Sequence, residues 1–130
     1  MAKRIIFLLL IAVSFMSCEK EAGEGGTSEI RGKIYVNKYN ADMTYLLKEY
    51  YAPEEDVYII YGDDDIYSER TRTNYDGSFI FRNLQKGKYK IFAYSKNLVI
   101  PAGTEPIIVE VEIEDDFQTV ELSKDIVIKK

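Results

Sequence analysis

TRTNYDGSFIFRNLQKGKYKIFAYS, residues 71–95, decides the fold. Two alternating apolar runs flank a turn at Lys86-Gly87, and a second turn, Asn74-Tyr75-Asp76-Gly77, opens the first run. Successive side chains on a strand point to opposite faces, so Phe79 and Phe81 share one face and Ile80 takes the other. Tyr89, Ile91 and Ala93 repeat that pattern after the turn. Period-2 runs broken by Asp-Gly and Lys-Gly predict a β-meander rather than a helix.

Upstream, Ile30, Gly32, Ile34 and Val36 share one parity, with Arg31, Lys33 and Tyr35 on the other, which predicts a half-buried first strand. Val57–Tyr61 (VYIIY) reads as a strand with Val57 and Ile59 inward, turned by Gly62-Asp63-Asp64-Asp65. The more polar segment from Tyr67 to Thr73 suits a sheet edge, where charges discourage edge-to-edge pairing. Residues 37–55 are the least regular. Asp42 could cap a short helix lined by Met43, Leu46, Leu47 and Tyr50, or the segment could be an extended Tyr-rich loop.

Downstream, Asn97–Pro106 reads as a long loop. Ile107, Val109, Val111 and Ile113 alternate with Ile108, Glu110 and Glu112, and Val120, Leu122, Ile126 and Ile128 continue on one parity in a last strand or pair. About seven short strands with regular turn signals predict an all-β antiparallel β-sandwich over residues 29–130.

The chain has 130 residues, room for one domain, with 46% hydrophobic and 30% charged residues. It has 11 Tyr, 6 Phe and no Trp. Tyr suits thin sheets because its ring packs while its hydroxyl stays wet. His is 0, which removes the commonest general base and the commonest zinc ligand together. Net charge is −5, and because Lys3 and Arg4 are the only charges before Cys18, a chain starting at Cys18 carries −7. Such a domain repels phosphate backbones, so no nucleic-acid partner is expected.

The first residues have the layout of a secretory signal: basic Lys3-Arg4, an apolar run, then small Ser17. The run from Ile5 to Met16 is about a dozen residues, short of the ~20 that a spanning helix needs. The ending FMSC at Cys18 resembles a bacterial lipoprotein signal, and the single cysteine stands directly after the apolar run. That resemblance implies a signal peptide at 1–17, acylation of Cys18, and outer-membrane anchoring through lipid, facing either the periplasm or the outside. Residues 18–28 follow as an acidic, Gly-rich tether. Its Glu19-Lys20-Glu21 start resembles the export signal of surface lipoproteins in Bacteroidota-type bacteria.

Asp76-Gly77, Phe79, Phe81, Leu84, Gly87 and Tyr89, preceded by IRGKIYV and VYII, resemble the signature of prealbumin-like domains (transthyretin-like, carboxypeptidase-regulatory and Cna-B types). The resemblance covers most of Ser28–Lys130 and falls on core and turn positions, so it speaks to fold and implies a Greek-key β-sandwich of two sheets. One branch of that family hydrolyses a cyclic urate derivative using histidines, which this chain lacks. Cna-B-type relatives join a first-strand Lys to a last-strand Asn or Asp. Here Lys33 has outward parity, only Asp125 stands in the last strand, and Ile91, Ala93 and Tyr94 occupy the place of the assisting Glu. No such bond is expected.

Asp63-Asp64-Asp65 and Asp115-Asp116 offer oxygen ligands without the spacing that wraps a chain around Ca²⁺, so no metal or other cofactor is expected. There is no GxSxG elbow and no Ser–His pair, which predicts a protein that is not an enzyme. What remains is a non-catalytic cell-envelope accessory or protein-interaction module. The alternative is a glycan- or small-ligand-binding module. Eight of the eleven Tyr lie between residues 35 and 67, and Tyr39, Tyr45, Tyr50 and Tyr51 are its candidate ligand-binding residues.

Overall fold

The computed structural model describes residues 22–130. The readings at 1–17 and at Cys18 lie outside the described residues. Nine strands form two packed sheets, and the described residues contain no helix, so the expected all-β sandwich is what the chain makes. They are β1 (Glu24–Tyr39), β2 (Leu46–Tyr51), β3 (Asp56–Tyr61), β4 (Glu69–Arg72), β5 (Ser78–Leu84), β6 (Gly87–Lys96), β7 (Thr104–Ile113), β8 (Thr119–Glu121) and β9 (Ile126–Lys129).

The first sheet is built around β1. Along one side β1 pairs antiparallel with β5 over Ile30–Lys33 and then with β2 over Tyr35–Tyr39. The handover is at Ile34, whose N–H donates to the Gly77 carbonyl at 2.9 Å and whose carbonyl accepts the Ala52 N–H at 3.0 Å. On the other side β8 and β9 pair with β1 in parallel, so the two ends of the domain sit side by side. The second sheet runs β4-β3-β6-β7, antiparallel throughout.

Strand periodicity decides the core. Ile30, Ile34 and Val36 of β1, Phe79 and Phe81 of β5, and Ile126 and Ile128 of β9 meet Val57, Ile59, Tyr89, Ile91 and Ala93 from the second sheet, all buried. Gly32 belongs to the same inward row. A Cβ there would lie 2.7 Å from Phe79 Cζ and 2.8 Å from Leu122 Cδ1, so glycine is what lets the Phe79 ring cross β1.

Three expectations are corrected. Residues 46–51 form an edge strand, not a helix or a loop: the i, i+3, i+4 spacing of Met43, Leu46, Leu47 and Tyr50 imitates a helix face, yet apart from the half-buried Tyr50 this strand is exposed and has no alternation to show. The tether boundary moves, because Glu24–Ser28 already belong to β1, Ala22 packs against the core, and the Gly23 N–H donates to the Tyr89 hydroxyl at 3.0 Å. The loop after β6 ends earlier than Pro106, since β7 begins at Thr104.

Candidate functional site

The four Tyr singled out from the sequence are not brought into one site. Tyr39 ends β1, half-buried, with Lys129 Nζ 5.9 Å from its ring centroid. Tyr45 is exposed in the β1–β2 turn, where its N–H donates to Asn40 Oδ1. Tyr50 pairs with Val36 and turns to the core side, with Lys48 Nζ 5.2 Å from its ring. Tyr51, one residue on, must face the other way. It packs edge-on against Tyr35 at 5.1 Å, under Lys33 Nζ at 5.0 Å, and its hydroxyl donates to Asp125 Oδ2 at 2.9 Å. That hydrogen bond to a carboxylate raises the Tyr51 pKa. The rings of Tyr39, Tyr50 and Tyr51 are engaged locally by cations, each worth about 0.5–1 kcal/mol at an exposed site.

The convergent aromatic surface lies on the outer face of the second sheet. Val57 and Ile59 of β3 and Tyr89, Ile91 and Ala93 of β6 point inward, so Tyr58, Phe92 and Tyr94 point outward. Register places Tyr58 beside Phe92, and their rings stack at 4.9 Å and 12°. Tyr94 closes edge-on against both, at 5.4 Å from Tyr58 and 5.5 Å from Phe92. Tyr67, from the β3–β4 loop, meets Tyr58 edge-on at 4.8 Å. Phe92 is only 7% exposed, whereas Tyr67, Tyr94 and Ile108 beside it are 48%, 44% and 50% exposed. Half-exposed rings over a buried ring make a rigid apolar platform open to solvent.

The platform runs into a polar depression. Lys88 and Lys90 of β6 face Glu112 and Glu110 of β7 across the sheet. With Asp63 and Gly62 they line a hollow of about 460 Å³. An aromatic surface beside a few donors and acceptors of both signs is the arrangement that small polar ligands use: rings supply contact area, polar groups set orientation. Phe92 and Tyr94 were missed as site residues in the sequence, although outward parity at positions 92 and 94 was the available signal. The Asp63–Asp65 and Asp115–Asp116 runs are on exposed turns, and among the described residues no three His, Cys, Asp or Glu side chains come together as a metal site.

No protein-family model matches the chain, and a comparison with curated proteins gives no match. Among solved structures the chain is similar to that of a proposed carbohydrate-binding protein from Pseudomonas aeruginosa, at 14% identity and a TM-score of 0.49. That likeness covers 88% of this chain and 94% of the other.

Proposed function

We propose that this protein is a non-catalytic binding module of the cell envelope, prealbumin-like in fold, that holds a carbohydrate on the outer face of its second sheet. The observation that carries this reading is the platform of Tyr58, Phe92, Tyr94 and Tyr67 running into the hollow lined by Lys88, Lys90, Glu110 and Glu112. The C–H face of a sugar ring packs on an aromatic face, and its hydroxyls take up paired cations and carboxylates as donor and acceptor. Stacked rings need no rearrangement to receive such a ligand, which lowers the ordering cost of binding.

In this reading Cys18 carries the lipid that fixes the module to the outer membrane. Acyl chains contribute ~0.8 kcal/mol per buried methylene, so two or three anchor stably. Since the chain is docked on the domain from Ala22 onward, the link from Cys18 can reach no more than about 14 Å. The module then works close to the bilayer rather than on a long stalk.

A glycan array that includes peptidoglycan fragments tests the reading. Binding is expected for at least one glycan, weakened roughly tenfold or more by Tyr94→Ala and by Tyr58→Ala. Absence of binding across the array, or binding indifferent to both changes, would remove the carbohydrate. Capture of an envelope protein through the same rings would replace it with the interaction role.

A further inference from the structure

A second surface lies where the sandwich is open. Among the described residues β7 pairs only with β6, and β8 and β9 pair only with β1, so two strand edges left open there face each other across a groove of about 510 Å³. The sheets are pinned at both ends of it. At one end Ser28 Oγ donates to the Asp115 carbonyl at 2.8 Å; at the other the Lys129 N–H donates to Ser95 Oγ at 2.8 Å. Between these pins Val109 and Val111 form one wall and Val120 and Leu122 the other.

The ladder shows what the β7 edge offers. The Lys88 carbonyl accepts from Gly62 on the β3 side, and the Asn97 N–H donates to the Gly103 carbonyl on the β7 side. Antiparallel strands alternate, so odd-numbered β6 residues bond to β7 and their partners there are odd-numbered too. Ile108, Glu110 and Glu112 therefore direct N–H and C=O to the free edge. Pro106 falls in the same set, where its missing N–H costs no ladder bond.

We infer that this groove takes an extended peptide segment of a protein partner as an added strand on β7, with apolar residues alternating with Lys or Arg. The apolar side chains enter between the sheets over Val109, Val111, Val120 and Leu122. The cations lie on the outer face against Glu110 and Glu112. Glu121 and Asp125 add to the acidic rim; Lys124 is the cation of the groove lining, and Lys88 and Lys90 stand on β6 opposite Glu112 and Glu110. For a second copy of this chain, two-fold pairing centred on Glu110 or Val111 sets glutamates of the two copies face to face, and like charges directly opposite destabilise a sheet. Five residues of free edge, 108–112, span about 17 Å.

The test is binding of the peptide KVTVKVTVK to the full-length protein in detergent micelles, read by calorimetry and amide hydrogen exchange. Exchange at Ile108, Glu110 and Glu112 slows at least tenfold on binding, and EVTVEVTVE binds at least tenfold more weakly. Glu110→Pro removes one free-edge N–H without touching the β6 ladder and weakens binding tenfold or more. The double change Glu110→Lys with Glu112→Lys reverses the preference between the peptides, which a merely unfolded variant would not do. Equal binding of both peptides, slowing of exchange elsewhere only, or a dimer already protecting the β7 amides without peptide overturns the inference.

Discussion

Replacing Gly77 by Ala tests how the stretch 71–95 organises the fold. Gly77 has φ +80° and sits where β1 passes from β5 to β2. Left-handed backbone costs an L-residue roughly 1–2 kcal/mol. A Cβ there would also lie 2.8 Å from the Ile34 carbonyl oxygen and 2.9 Å from Tyr51 Cβ, and the oxygen belongs to the bond that holds Ala52. Forcing atoms apart in a packed site adds about 1–3 kcal/mol, for a total of about 2–5 kcal/mol. Gly62 supplies the control, with φ +60° and nothing within 4 Å of an added Cβ, so Gly62→Ala carries the conformational cost alone. Urea unfolding followed by far-UV circular dichroism gives both values at unchanged m. If Gly77→Ala proves as mild as Gly62→Ala, the crowding at the β5–β2 handover is not there and the reasoning fails.

Thr73 is buried and its hydroxyl donates to the Ala52 carbonyl while accepting the Glu55 N–H at 2.8 Å, which staples the crossover between sheets. Thr73→Val strands both groups and should destabilise by about 1–3 kcal/mol in the same urea assay, whereas a Ser there should recover most of it. Absorbance titration at 295 nm should show Tyr61 and Tyr89 ionising later than the bulk of the Tyr, because burial raises both, with the Glu69 carboxylate adding to Tyr61. Their folded-state pKa values exceed the unfolded ones, so the stability they confer is complete below about pH 10 and is lost as pH rises above it. Superimposable titrations of folded and urea-unfolded protein would reject that. Cys18→Ala should move the protein from the membrane to the soluble fraction and abolish acyl mass; unchanged membrane association would reject the anchor.

The core was legible because burial in a sandwich imposes period 2. Phe79, Phe81, Tyr89, Ile91 and Ala93 follow it, and Asn74–Gly77 closes as a turn with the Gly77 N–H donating to the Asn74 carbonyl at 3.0 Å. Strand β2 was illegible for the converse reason: with every residue but Tyr50 exposed, LLKEYY carries no alternation, and its apolar spacing fits a helix equally well. Strand partners are also invisible in a single sequence, so the parallel contacts of β8 and β9 with β1 emerge only in three dimensions. The aromatic platform joins residues 58, 67, 92 and 94 by cross-strand register. Counting Tyr along the chain pointed instead to 39, 45, 50 and 51, of which Tyr45 lies in a turn and Tyr50 and Tyr51 face opposite sides of β2.

Aromatic-edited NMR of the protein, titrated with a glycan selected from the array, bears most directly on where the ligand sits. Ring resonances of Tyr58, Phe92 and Tyr94 should shift together with the side chains of Lys88 and Lys90, along one saturable curve. Shifts confined to Tyr45, Tyr50 and Tyr51, or rings of the second sheet that stay fixed while the glycan binds, would contradict the account.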